Sequence, residues 1–219
     1  MPGTETKQWR KCNVFGVGGP WSAIDMQAQE VPRPPRDAPP GGFFHVWTRG
    51  NRRCNVFEDD TDYQIFLAML ARAGRRHNWR IYGWCLMTNH YHLVLATPDG
   101  GLSAGLCELN GGFAQWSNRR RKIEDHLFGK RFGSKSIQTE VHLLDACRYV
   151  ALNPVRAGMR SHPAEWRWSS YRASTGDEKA PSYLALSDLL SLFDSDLGRA
   201  TQLYRDFITN SVPGTVTKV

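Results

Sequence analysis

The sequence lacks the features that would indicate a membrane protein, a secreted protein or a nucleotide hydrolase. No apolar run approaches the roughly 18 residues of a membrane span, and no apolar segment near the start ends in a small-residue cleavage site. The five cysteines are scattered without a C-x-x-C pair, so their spacing indicates neither a disulfide framework nor a zinc knuckle. No phosphate-binding loop is present. We therefore expect a cytoplasmic protein with free, mostly buried thiols.

Acidic side chains are also in the minority. Asp and Glu number 21 against 28 Lys and Arg, which leaves a formal net charge of +7. Such an excess favours an anionic partner, with nucleic acid as the first candidate. A chain of 219 residues can hold one sizeable core with appendages, or at most two small domains.

Residues 1–42 differ in composition from the rest of the chain. Prolines and glycines are concentrated at 31–42. They exclude a helix or a central strand there, because proline lacks a backbone donor and restricts the residue before it. We predict a flexible leader over 1–42, a folded domain over 43–175 and a helical C-terminal extension over 176–219.

The spacing of apolar residues predicts an α+β domain. Alternating or β-prone runs predict strands at 43–49, 79–87 and 90–97, the last two joined as a hairpin by Thr88 and Asn89. Helical spacing and end signals predict helices at 59–78, 102–122, 141–152, 184–193 and 197–208. Strands that mix with helices and include a hairpin indicate a central, largely antiparallel sheet with helices packed on it.

Two histidines on one strand form the strongest local signal for chemistry. Side chains alternate along a strand, so His90 and His92 point to the same face. Two imidazoles on one face of a rigid strand make half of a divalent metal site. A bare H-x-H pattern is short, however, and on its own it is more typical of half-exposed surface histidines or of a satisfied core histidine.

A second signal lies on the helix predicted at 141–152. Tyr149 and Asn153 are four residues apart and share a helix face. A tyrosine oxygen is a competent nucleophile if a nearby group stabilises its ionised form, and an amide oxygen is a suitable hard metal ligand. Taken alone, Tyr149 is more often a core tyrosine and Asn153 a helix-end or pre-proline residue.

Basic and aromatic residues supply a third signal. Clusters at 49–53, 119–122 and 130–131 are suited to phosphate contacts, or else they form a solvated charged face. Four aromatic side chains could stack on unpaired bases, although a place in the core is favoured for them. These are Trp116, Trp166, Trp168 and Tyr171.

Five motifs together resemble one family, the REP-associated tyrosine transposases of the HUH superfamily. In chain order they are RGNR at 49–52, WCLMTNHYHLVL at 84–95, SNRR at 117–120, YVALNPVRAG at 149–158 and WSSY at 168–171. Each motif is weak alone, but their order over most of the chain makes the match specific. The leader at 1–42 has no counterpart in this pattern.

The resemblance implies a ferredoxin-like HUH domain that cleaves and rejoins single-stranded DNA, next to REP-like hairpins, through a 5′-phosphotyrosine. It makes Tyr149 the nucleophile and His90 and His92 the ligands of Mg²⁺ or Mn²⁺, with Asn153 as a less secure third ligand because other branches use glutamine there. The basic motifs become a DNA-binding surface. Its predicted members are Arg49, Asn51, Arg52, Arg119, Arg120, Arg121, Lys130, Arg131 and Arg156.

Other functions remain open at this point. A plasmid relaxase or rolling-circle initiator shares the histidine pair, but the single tyrosine followed by Asn-Pro favours the transposase branch. A non-catalytic DNA-binding protein descended from such an enzyme is the alternative from a different class, and an RNA-binding regulator rests only on charge and aromatics. Monomer and homodimer are equally compatible with the sequence.

Overall fold

A four-stranded antiparallel sheet forms the centre of the fold. The structure, a computed structural model, describes residues 38–210, so nearly all of the predicted leader at 1–42 lies outside the described residues. The strands are β1 (Gly42–Arg49), β2 (Arg80–Met87), β3 (His90–Thr97) and β4 (Gly133–Ile137). Their order in the sheet is β2-β3-β1-β4, and every neighbouring pair is antiparallel.

One α-helix connects β1 to β2, another connects β3 to β4, and further helices follow β4. They are α1 (Asp60–Arg76), α2 (Leu102–Arg121), α3 (Glu140–Ala151), α4 (Asn153–Arg156), α5 (Tyr171–Ser174), α6 (Leu186–Leu190) and α7 (Leu197–Thr209). The succession β1-α1-β2-β3-α2-β4 with two central strands, β1 and β3, is the predicted ferredoxin-like α+β arrangement, which is thereby confirmed. In the part of the chain described, none of the helices has the length and apolar character needed to cross a membrane.

The two faces of the sheet carry different helices. On one face, the Tyr91 ring lies 4.7 Å from that of Phe66 in α1, and its hydroxyl donates to Asn110 of α2 at 2.7 Å. Because side chains alternate along β3, His90 and His92 point to the opposite face. Helix α3 packs against that face and brings Tyr149 to the histidines. Tyr149 and the two histidines therefore meet where α3 packs against the sheet.

Helix α3 begins and ends where local chemistry requires. Thr139 caps its first turn by accepting a hydrogen bond from the backbone N–H of His142. It ends at Ala151, because Pro154 has no N–H to continue its backbone hydrogen bonds. Pro154 instead occupies the first turn of the short helix α4, which starts at Asn153. Tyr149 thus lies in the last turn of one helix and Asn153 at the start of the next.

Strand β4 is the element that the sequence does not predict. Its five residues, GSKSI, are mostly small or polar and show no strand-like alternation of apolar side chains. Its conformation comes from pairing with β1, in register from Phe43 opposite Ile137 to Trp47 opposite Gly133. This pairing makes β4 the edge strand next to β1, with Lys135 opposite His45.

The outer edge of β2 is covered by the chain itself. The backbone N–H of Leu86 donates to the Trp168 carbonyl at 2.9 Å, and that of Ser170 donates to the Trp84 carbonyl at 3.0 Å. Further along, the N–H of Ala185 donates to Ile81 at 2.8 Å. The segment 168–185 therefore seals this edge of the sheet before α6 and α7.

Candidate active site between the sheet and helix α3

His90 and His92 lie on the same face of β3, as their spacing predicts. Their ring centres are 5.1 Å apart, and the rings are close to perpendicular. His92 is only 7% exposed, whereas His90 is half-buried and holds the side-chain oxygen of Asn89 at 2.7 Å from its Nδ1. Burial and this hydrogen bond hold both histidines in place, unlike side chains that project freely from the surface.

A third histidine, which the sequence analysis missed, joins this pair from β1. His45 Nε2 lies 2.9 Å from His92 Nδ1, and the two rings stack with centres 5.1 Å apart. The cause is the register between β1 and β3, which places Trp47 opposite His92 and Arg49 opposite His90. The alternation His45, Trp47, Arg49 was visible in the sequence, but nothing in it gave the register.

Tyr149 reaches the same cluster from α3. Its ring centre is 5.5 Å from that of His92 and 5.5 Å from that of His45, with both rings meeting it edge to face. The guanidinium carbon of Arg156 lies 4.7 Å from the centre of the Tyr149 ring. A tyrosine, two strand histidines and an arginine from α4 therefore converge although they are far apart in sequence.

Asn153 completes the group. It is 9% exposed, and its side chain is hydrogen-bonded to His90. The sequence analysis assumed one continuous helix face for Tyr149 and Asn153, whereas the chain changes from α3 to α4 between them. Both side chains nevertheless reach the histidine pair, Tyr149 at His92 and Asn153 at His90.

Burial and nearby cations keep the three imidazoles neutral at pH 7. Burial, and then the positive charge of Lys135, lowers the pKa of His45 to about 4. Burial and the charge of Arg49 lower the pKa of His90, against the opposing effect of its bond to Asn153. Burial, followed by His45, His90 and Arg49, holds the pKa of His92 well below its usual value. Neutral imidazoles have free lone pairs, which a metal cation requires.

The donor atoms present fit a divalent cation with mixed nitrogen and oxygen ligands. His90 and His92 offer two imidazole nitrogens on one face, and the amide oxygen of Asn153 is close to them. Among residues 38–210, no group of three or more His, Cys, Asp or Glu side chains is arranged to hold a metal. A site at this position would therefore depend on the asparagine oxygen and on oxygens from the substrate or water.

The predicted DNA-binding residues fall into three groups. Within the described chain, six are exposed and have no acidic partner, namely Arg49, Arg52, Arg119, Lys130, Arg131 and Arg156. In contrast, Arg120 pairs with Asp59 and Asp62 at 2.7 Å, and Arg121 pairs with Asp62 and with Glu58. Asn51 is half-buried, and its backbone N–H donates to the Leu127 carbonyl at 2.8 Å. The structure therefore commits Arg120 and Arg121 to contacts between α1 and α2.

The aromatic side chains considered for base stacking lie mainly in the core, which was the favoured interpretation. Trp166 and Trp168 are each 8% exposed and Tyr171 is 1% exposed. The Trp166 indole N–H donates to the Leu86 carbonyl, and the Trp168 ring stacks on Tyr63 with centres 4.4 Å apart. Trp116 is half-buried against Phe113. None of these four has an open ring face beside Tyr149.

Known proteins similar to this chain share both its sequence pattern and its fold. A curated relative, the REP-associated tyrosine transposase of Escherichia coli (strain K12), is 21% identical over 133 residues, which cover 60% of this chain and 76% of the relative. A solved structure of a REP-associated tyrosine transposase bound to a REP hairpin superposes with a TM-score of 0.58 at 20% identity, covering 65% of this chain and 84% of that one. The expected resemblance is thereby confirmed.

The family assignment comes from the match to a sequence model of the family. The sequence model of the family described as "Transposase IS200 like" matches residues 42–153, from the first residue of β1 to Asn153. The match includes both strand histidines and Tyr149 and spans more than half of the 219 residues. The chain belongs to the IS200-like transposase family.

Proposed function

We propose that this chain cleaves and rejoins single-stranded DNA next to a hairpin, with Tyr149 as the nucleophile. The observation that carries the proposal is the position of the Tyr149 ring, 5.5 Å from the ring of His92. His92 shares a face of β3 with His90, to which Asn153 is hydrogen-bonded. A relative of the same fold was solved bound to a REP hairpin, which supports hairpin DNA as the partner.

His90, His92 and Asn153 would hold a divalent metal ion. Mg²⁺ and Mn²⁺ are the candidate ions, and the two imidazole ligands favour Mn²⁺. When bound, the ion polarises the scissile phosphate and stabilises the charge that develops on it. The neutral state of the imidazoles is suited to this role, since protonated imidazoles would repel a cation.

The chain's own residues then perform a transesterification. The Tyr149 oxygen gives up its proton to solvent and forms a bond to phosphorus, while the bond from phosphorus to the preceding 3′ oxygen breaks. That oxygen takes up a proton and leaves as a 3′-hydroxyl, and Tyr149 keeps the 5′-phosphate. Arg156, beside the Tyr149 ring, is placed to bind a phosphate oxygen.

Rejoining follows by the reverse reaction. A 3′-hydroxyl attacks the phosphotyrosine, a phosphodiester forms and the Tyr149 oxygen is released with a proton. The tyrosyl ester preserves the energy of the broken bond, so the strand can be resealed without nucleotide hydrolysis. This agrees with the absence of a phosphate-binding loop from the sequence.

The direct test is formation of a covalent adduct. The purified chain is incubated with Mn²⁺ and a panel of hairpin DNAs with single-stranded flanks, labelled at the 3′ end so that the attached fragment is visible on a denaturing gel. We expect an adduct with the wild-type chain and none with Tyr149→Phe, which lacks the attacking oxygen. Both proteins should bind the DNA with similar affinity, because the ring is retained.

EDTA and the alternative function provide the controls. Chelation should remove the adduct from the wild-type reaction, and renewed Mn²⁺ should restore it. An adduct formed by Tyr149→Phe would show that another residue is the nucleophile. DNA binding without an adduct across the whole panel would favour the alternative, a non-catalytic DNA-binding protein derived from such a transposase.

A further inference from the structure

Trp47 is an exposed aromatic side chain on the face of the sheet that carries the candidate active site. Among residues 38–210 it is the only aromatic residue in the set of exposed large apolar side chains, with 36% of its surface accessible. On β1 it lies between His45 and Arg49 in the two-residue alternation, and it is opposite His92 on β3. A large indole in solvent beside a catalytic cluster requires a physical explanation.

The indole is held in a fixed position. A Cβ atom built at Gly133 of β4 would lie 2.2 Å from Trp47 Cε2 and 2.4 Å from Nε1, so the ring lies directly against the β4 backbone. The His45 ring also contacts the indole, with ring centres 5.2 Å apart and a tilt of 45° between the rings. Any side chain at position 133 would displace the indole. The absence of a side chain there provides the space in which the ring lies.

Cations flank the indole on the same face. Lys135 is opposite His45 across the β1–β4 pairing, and Arg49 follows Trp47 by two residues on β1. Both are exposed, and neither has an acidic partner among residues 38–210. An aromatic ring flanked by two exposed cations is suited to an unpaired nucleotide, because the base can stack on the ring while the backbone phosphates contact the charges.

His45 connects this ring to the proposed nucleophile. Its ring centre is 5.2 Å from that of Trp47 and 5.5 Å from that of Tyr149. A base stacked on Trp47 therefore belongs to a nucleotide near the phosphate that Tyr149 attacks. We propose that Trp47 is the stacking site for one unpaired base of the single-stranded DNA flanking the scissile phosphate. This rests on the proposed function for the identity of the ligand.

Stacking on Trp47 can be measured separately from cleavage. All variants carry Tyr149→Phe so that no cleavage occurs, and their affinity for fluorescein-labelled hairpin DNA is measured by anisotropy. The DNA is the hairpin that forms an adduct with the wild-type chain. If no hairpin forms an adduct, the hairpin that is bound most tightly is used. Trp47→Ala should weaken binding by about tenfold, in the range of one lost base stack. Trp47→Phe should recover most of the loss, and Leu197→Ala, which shortens an exposed side chain on α7, should have no effect.

An abasic scan then identifies the base. Single abasic sites are introduced one at a time along the single-stranded flank. At one position, the missing base should weaken binding by about tenfold in the protein that retains Trp47. The same abasic site should cause no further loss of affinity in Trp47→Ala. If Trp47→Ala binds as tightly as its parent, or loses affinity equally at every abasic position, the stacking site does not exist. If the Tyr149→Phe protein with Trp47 intact does not bind the single-stranded flank at all, both the proposed function and the stacking site fail. Unchanged thermal unfolding of Trp47→Ala excludes misfolding as the cause of a loss.

Discussion

His45 determines which nitrogen of His92 is available to a ligand. Since His92 Nδ1 is 2.9 Å from His45 Nε2, the free nitrogen of His92 is Nε2. A neutral His92 that offers the Nε2 lone pair carries its proton on Nδ1 and donates it to His45. We expect His45→Ala to weaken Mn²⁺ binding by about tenfold to a hundredfold, measured by calorimetry on the protein without DNA.

A conservative variant separates this effect from a packing defect. His45→Gln retains an oxygen that can accept the Nδ1–H of His92, so its Mn²⁺ affinity should lie between those of His45→Ala and the wild type. His142→Ala removes an exposed histidine on α3 and should leave Mn²⁺ affinity unchanged. Equal Mn²⁺ affinity in His45→Ala and wild type would show that His45 has no part in orienting His92.

At the residue scale, the sequence indicated His90, His92, Tyr149 and Asn153, and the structure brings these four together. Strand alternation is a local rule, which explains why it predicts the shared face of His90 and His92. Tyr149 and Asn153 reach the histidines across the break between α3 and α4, which helical spacing alone does not predict. His45 was not predicted, because its role depends on the register between β1 and β3. The pairing of the basic residues Arg120 and Arg121 with acidic groups of α1 could not be predicted either, because it depends on how two helices pack.

At the scale of elements, helices α1 and α2 are joined by a buried carboxylate. The Asp62 side chain is fully buried, pairs with Arg120 at 2.7 Å and with Arg121, and accepts the backbone N–H of Glu58 at 2.8 Å. Asp62→Ala would leave Arg121, 14% exposed, without its main partner. We expect the free energy of unfolding in urea to fall by roughly 3 kcal/mol, as for other buried pairs broken on one side.

Asp60 provides a matched control in the same helix turn. It pairs with Arg167 at 2.8 Å, but both side chains are more than half exposed. Asp60→Ala should therefore change the free energy of unfolding by at most about 1 kcal/mol. If the two variants lose similar stability, the contribution of Asp62 does not come from its burial.

The elements themselves were predicted where apolar periodicity is strong. The three strands at 43–49, 79–87 and 90–97 and the helices α1, α2 and α3 lie within two residues of their predicted bounds. The helix predicted at 184–193 is shorter in the structure, Leu186–Leu190. Strand β4 was missed because its sequence has no apolar alternation, and its conformation is imposed by β1. Local sequence cannot reveal a strand that is stabilised mainly by its neighbour.

At the scale of the whole molecule, the net charge of +7 favours binding to an anionic partner such as DNA. Arg49 is exposed on the candidate active-site face and, within residues 38–210, lacks an acidic partner. Binding of single-stranded DNA should weaken with KCl between about 50 and 200 mM because counterions are released from phosphates. Arg49→Ala should reduce the slope of log K against log salt by about 0.7.

Arg80 allows the effect of position to be separated from that of total charge. It lies at the start of β2, at the other end of the sheet from His90, and pairs with Asp188 at 2.8 Å. Arg80→Ala removes the same single charge and should leave the salt slope unchanged. Equal reductions in both variants would indicate a general attraction of the whole surface instead of a bound strand at Arg49.

The covered edge of β2 has a consequence for how the chain is made. Its hydrogen-bond partners at Trp168, Ser170 and Ala185 lie far downstream, so they leave the ribosome long after β2 and β3. Until then the nascent sheet presents an unpaired, largely apolar strand, which is the kind of edge that pairs with other chains. The segment 168–185 therefore covers an edge that is otherwise open to pairing with other chains, and it can do so only after it has been synthesised.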